Sequence, residues 1–162
     1  MNSFTPGPQT ARDFRDALGR FATGVTVVTV DTPTGPMGIT ANSFASVSLD
    51  PPLVLWCPAK VSHRHDALVA PDHFALHVMG QDQRDIAHGF SKSGDIFAQC
   101  DWKTGPHNVP LINGCPARFE CTTQHRIDGG DHTILLARVS RVTTTDTPPL
   151  VFLGGTFGAF NA

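Results

Sequence analysis

Between Thr40 and Ser48, Thr40, Asn42, Ser46 and Ser48 fall on one parity of the chain, with Phe44 among them. Alternate residues of a strand share a face, so this parity reads as a row of small donors and acceptors beside one aromatic ring. Such a row suits a planar heteroaromatic ligand, whose edge takes hydrogen bonds while its faces want apolar walls. A solvent-facing strand would carry the same pattern, and periodicity alone favours that plainer reading.

Other reactive groups are scattered. Eight histidines invite a metal reading, and His63-x-His65 and His73-x3-His77 could each bring two imidazoles together, but no acidic or cysteine ligands follow at matching spacing, so no metal site is expected. Cys57, Cys100, Cys115 and Cys121 form no C-x-x-C pair and read as reduced, mostly buried thiols. No G-x-G-x-x-G opens a helix after a strand, which excludes a Rossmann-type nucleotide domain, and without a G-x-S-x-G elbow neither Ser43 nor Ser46 is a hydrolase nucleophile.

The 12 basic and 14 acidic residues form no block of one sign, which argues against nucleic acid as a partner. No apolar run approaches the roughly 18 residues of a membrane span, and MNSFTPGPQT lacks a leader's basic and apolar regions. A soluble, cytoplasmic protein with no membrane partner is expected.

Residues 1–162 read as a single domain, with 1–9 a flexible N-terminal tail. With 15 glycines, 13 prolines and many β-branched residues, the composition predicts short strands and tight turns. Phe14, Ala17, Leu18 and Phe21 fall at helical spacing, with Thr10 as N-cap, and predict an amphipathic helix packed on the domain. Val25 to Val30 is a continuous β-branched strand, and Gly38 to Leu49 an alternating one with Ile39, Ala41, Ala45, Val47 and Leu49 inward. Leu53–Cys57 and His73–Met79 are further strands, and helices begin near Ser62 and Asp82. The stretch from Ser91 to Gly114 is polar and irregular and reads as a functional or interface loop. Asp128-Gly129-Gly130-Asp131 is a hairpin turn between two long strands, and a short strand follows Pro149. A barrel of about six strands results.

The chain resembles the flavin reductase-like, FMN-binding split-barrel family, the short-chain NAD(P)H:flavin oxidoreductases that serve two-component flavin monooxygenases. The resemblance runs through Phe21-Ala22-Thr23-Gly24-Val25-Thr26, through GITANSFASVSLDPPLVLWC from Gly38 to Cys57, through Leu111-Ile112-Asn113-Gly114, Gly130-Asp131-His132 and Pro149-Leu150-Val151-Phe152. It implies a mainly β, Greek-key split barrel with a few flanking helices, forming a homodimer that hands reduced flavin to a partner monooxygenase. FMN or FAD would be the flavin, and NADH or NADPH the hydride donor.

Carried across by position, the resemblance places the flavin ring at Thr40, Ala41, Asn42 and Ser43, with Ser46 and Cys57 nearby. It places the phosphate at Ala59, Lys60, Val61 and Ser62, with Arg64 a substitute donor where the family often has a serine or threonine. His132, oriented by Asp131, would sit where the nicotinamide docks, and Phe90 and Phe157 would wall the ring. Two other readings stay open: a non-enzymatic flavin- or haem-binding protein of the same fold, and an oxidase or oxygenase acting on its own substrate, such as a pyridoxamine-type amine.

Overall fold

A computed structural model of the chain describes residues 3–160. In chain order the elements are α1 (Ala11–Leu18), β1 (Thr23–Gly24), β2 (Thr26–Thr32), β3 (Gly35–Ala41), β4 (Ala45–Leu49), β5 (Pro52–Trp56), α2 (His65–Val69), β6 (His73–Val78), α3 (Arg84–Lys92), β7 (Trp102–Thr104), β8 (Pro110–Ile112), β9 (Ala117–Gly129), β10 (His132–Thr144), β11 (Leu150–Leu153) and β12 (Thr156–Ala159). The architecture is mainly β with a few helices, as expected.

The largest sheet has seven strands in the order β3-β2-β6-β9-β10-β5-β4. Its two edges, β3 and β4, are consecutive in the chain and joined by only Asn42, Ser43 and Phe44. Three residues span at most about 10 Å, so the sheet must curl until its edges nearly meet. The edges are not hydrogen-bonded to each other, so the expected barrel is a curled sheet with an open seam. A three-stranded sheet, β1-β11-β12, and the ribbon β7-β8 complete the fold.

The continuous β-branched run of β2 is explained by cover on both of its faces. Val25 and Val27 enter one core with Met79, Ala87, Phe90, Phe97, Ile112 and Leu150, whereas Val28 and Val30 enter a second with Trp56, Leu68, Phe74, Leu76 and Leu135. His77 lies fully buried beside the strand. Its Nδ1 lies 3.0 Å from the Val27 carbonyl and its Nε2 3.0 Å from the Ile112 N–H, so Nδ1–H donates and Nε2 accepts, and burial pushes its pKa down to about 3.

Several expectations need correction. Gly38 to Leu49 is two strands, because the chain turns at residues 42–44. Ile39, Ala41 and Phe44 pack on the second core, while Val47 and Leu49 are exposed. The polar run 91–114 contains β7 and β8 and buries Ile96, Phe97, Val109, Leu111 and Ile112, so much of it is core. Helix α1 buries none of its residues: Phe14, Leu18 and Phe21 are exposed. Thr10 does not cap α1. Its hydroxyl accepts from the Gly7 N–H and donates to the Thr5 carbonyl, closing a turn ahead of the helix. Of the segment 1–9, Met1 and Asn2 lie outside the described residues.

Candidate active site at the seam of the sheet

The seam carries a cavity of about 350 Å³, lined by Val25, Thr40, Ala41, Asn42, His88, Ser91, Phe152, Gly155 and Phe157. Strand β3 supplies the polar edge, α3 one rim, and the β11–β12 turn the opposite wall. That wall is a two-residue hairpin whose Gly154 and Gly155 have φ of +58° and +85°, a left-handed pair that residues with a Cβ adopt reluctantly. Phe152 and Phe157 lie across it with ring centroids 5.5 Å apart, and the Arg84 guanidinium stands 5.9 Å from the Phe157 ring centroid.

Helix α3 is held against β3 closely enough that a Cβ on Gly38 would stand 2.6 Å from the Phe90 ring. Phe90 is therefore fully buried, 5.1 Å from Phe97 and edge-on to it, and has no surface to offer a ligand. Its expected role as a ring wall is not met. The Thr40 hydroxyl donates to the Ala87 carbonyl of α3, which leaves Thr40 its backbone and methyl for the cavity. The Asn42 amide is exposed at the rim, free to donate and to accept.

From the cavity the predicted residues continue along one band. The Ser43 hydroxyl accepts from the Cys57 N–H at 3.0 Å and donates to the Cys57 carbonyl at 3.1 Å, fastening the seam to the end of β5. Burial raises the Cys57 thiol above its ordinary range, and both of the hydrogen bonds to Ser43 are made by the Cys57 backbone. Beyond it the turn 58–62 lies against the tip of the β9–β10 hairpin. Ala59 forms a bridge with His132, the Lys60 N–H donates to the Asp131 carbonyl at 2.8 Å, and the Thr133 N–H donates to the Pro58 carbonyl at 3.1 Å. The His132 Nδ1 stands 2.8 Å from the Asp131 carboxylate, as expected, and the imidazole is half exposed. The Lys60 ammonium is 3.0 Å from the Asp128 carboxylate, and the Ser62 hydroxyl accepts from the Arg64 N–H at 3.3 Å.

Besides Phe90, two expected site residues fall outside the band. Ser46 is exposed on the edge strand β4, opposite Val54. Arg64 is turned inward: its guanidinium donates to the carbonyls of Gly38 (3.0 Å), Phe90 (2.8 Å) and Ser91 (3.2 Å). A cation there satisfies the carbonyl end of α3, so Arg64 ties α2 to α3 and β3, while its Nε is buried without a partner among the described residues. Conversely, His88, Ser91, Phe152 and Gly155 line the cavity without having been singled out in the sequence. Helix α3 buries Ala87 and Phe90 and leaves His88 and Ser91 exposed.

Known proteins are similar to this chain in sequence and fold. The flavin reductase like domain model matches residues 18–161. The chain is 52% identical over 158 residues to an FMN reductase (NADH) of Agrobacterium fabrum, covering 98% of this chain and 91% of that protein. It is 43% identical to the reductase component of a flavin-dependent trigonelline monooxygenase of Acinetobacter baylyi, of which it spans 48%. Among solved structures, an NADH:FAD oxidoreductase of Streptomyces globisporus, in complex with NAD and FAD fragments, superposes with a TM-score of 0.90 at 41% identity and 98% coverage of both chains. The chain belongs to the flavin reductase-like domain family.

Proposed function

We propose that this chain reduces FMN or FAD with NADH, binds the flavin along the seam band, and passes the reduced flavin to a monooxygenase component. One observation carries the site assignment: the cavity edge at Thr40–Asn42, the Ser43–Cys57 clasp, the Lys60 turn and His132 form one continuous strip held by hydrogen bonds. The cavity fits a tricyclic ring, with apolar walls from Val25, Phe152 and Phe157 and a polar edge from Asn42 and the backbone of 40–42. Bound flavin supplies the hydride chemistry; the residues hold, orient and exclude water. Asn42 meets the ring edge, Lys60 and Ser62 meet the phosphate, and His132, fixed by Asp131, borders the place where nicotinamide stacks.

The stripe along and just after α1 supports a homodimer. Phe14, Leu18 and Phe21 are 43, 60 and 78% exposed, an apolar stripe that one chain leaves uncovered beside a groove reaching Asn42 and Gly155. A second copy covering that stripe would close the open side of the cavity. No helix is long and apolar enough to cross a membrane, and a cytoplasmic location fits a protein working on NADH.

The test is NADH oxidation with added FMN, FAD or no flavin. Turnover that requires flavin and is slowed in Asn42→Ala supports the reading. A protein that binds flavin or haem without oxidising NADH would make it a binding protein of the same fold, and one that consumed an amine would make it an oxidase.

A further inference from the structure

We propose that Asp128 is an internal competitor for the flavin phosphate: it occupies the Lys60 ammonium and so weakens the hold on the flavin. The proposal rests on the reading that Lys60 receives the phosphate.

The charges around the turn carry it. Lys60 is the one cation of the 58–62 turn, and its ammonium lies 3.0 Å from Asp128 Oδ1 across the hairpin tip. The same carboxylate oxygen accepts the Gly130 N–H at 2.9 Å, which pins it in place at no cost to its charge. Both contacts hold the Asp128 carboxyl below its ordinary range. Asp131, a second carboxylate, stands on the same tip and is engaged with His132. Arg64, two residues past the turn, is spent on the carbonyls of Gly38, Phe90 and Ser91 and brings no donor to it.

An arriving phosphate therefore meets one lysine already paired, beside two acids. To bind it must displace Asp128 and leave that carboxylate exposed to water, which an 80% exposed side chain permits. The penalty is the worth of an exposed ion pair, so it weakens the complex without forbidding it. Release reverses the exchange, with Asp128 returning to Lys60 as the phosphate leaves.

The test is fluorescence titration of the full chain with FMN and with riboflavin, which lacks the phosphate. Asp128→Asn keeps an oxygen for the Gly130 N–H, so the hairpin turn survives. The expected result is FMN bound about threefold tighter in Asp128→Asn, within the range of an exposed ion pair, with riboflavin affinity unchanged and no gain in Lys60→Ala/Asp128→Asn. If Lys60→Ala weakens FMN but not riboflavin, while Asp128→Asn leaves FMN unchanged or weaker, competition is refuted and the phosphate reading stands. If Lys60→Ala leaves the preference for FMN over riboflavin intact, the phosphate lies elsewhere and the proposal falls with that reading.

Discussion

The two ends of the seam band are built in opposite ways. At the cavity end, β3 and α3 are locked by buried contacts: the Thr40 hydroxyl on Ala87, the Phe90 ring on Gly38, and the Arg64 guanidinium on three carbonyls. At the hairpin end, the turn 58–62 and the tip 128–133 meet through backbone bonds and exposed ion pairs. Burial makes a group expensive to lose, whereas exposed pairs contribute little to stability. On the proposed function, the cavity end is therefore a fixed mould for a rigid ring, and the hairpin end an adjustable contact for a charged, flexible tail.

Substitutions can break that contrast. The largest effect belongs to Arg64→Met, which strands buried carbonyls and should cost about 3 kcal/mol of stability, measured by urea unfolding. The FMN-to-riboflavin affinity ratio of the folded protein should stay unchanged; a fall in that ratio would return Arg64 to the phosphate site. Next comes pH. His77 has a folded pKa of about 3 against 6.5 unfolded, so between those values the unfolded chain binds the extra proton. Its contribution is complete above pH 6.5 and is lost as pH falls toward 3, at up to about 1.4 kcal/mol per pH unit. Unfolding midpoints that stay flat from pH 7 to 5 would show that His77 charges in place.

Asn42→Ala tests the rim of the mould. Loss of a neutral hydrogen bond to the ring edge should lower kcat/KM for flavin about tenfold, with the thermal midpoint nearly unchanged because Asn42 is exposed. The smallest effect is expected at the hairpin tip, where Asp131→Asn loosens His132 without disturbing a core. A drop of about threefold in kcat/KM for NADH, with flavin affinity intact, would match a positioning carboxylate.

The parts of the fold legible in the sequence are those with a strong local signal: the unbroken β-branched run Val25–Val30, buried on both faces, and the glycine-rich turn Asp128–Asp131. The break at residues 42–44 carried none, since Asn42, Ser43 and Phe44 contain no Gly or Pro and continue the alternation of the flanking strands. Arg64 was misread because its partners are carbonyls of α3, remote in sequence, and a cation beside a presumed phosphate turn looks like a ligand until its burial is known. The band from Thr40 to His132 came from resemblance, and the tertiary contacts between its parts had no local signal. The stripe on α1 was readable as amphipathic, but what covers it lies outside one chain.

The β9–β10 hairpin pairs locally, from His132↔Gly129 at the tip to Thr144↔Ala117 at the base. Its flanks are taken by strands distant in sequence, β6 on one side and β5 on the other. Chains dominated by such distant pairings fold slowly, because loop closure must precede the contacts that reward it. The hairpin is thus the natural nucleus, and substitutions at Leu135 or Cys121 should slow folding more than they speed unfolding, while those at Ile39 should do the reverse. On that order of events the tip bearing Asp128 and His132 is assembled early. The mould for the ring closes last, when the chain through Asn42 and Ser43 brings the two sheet edges together.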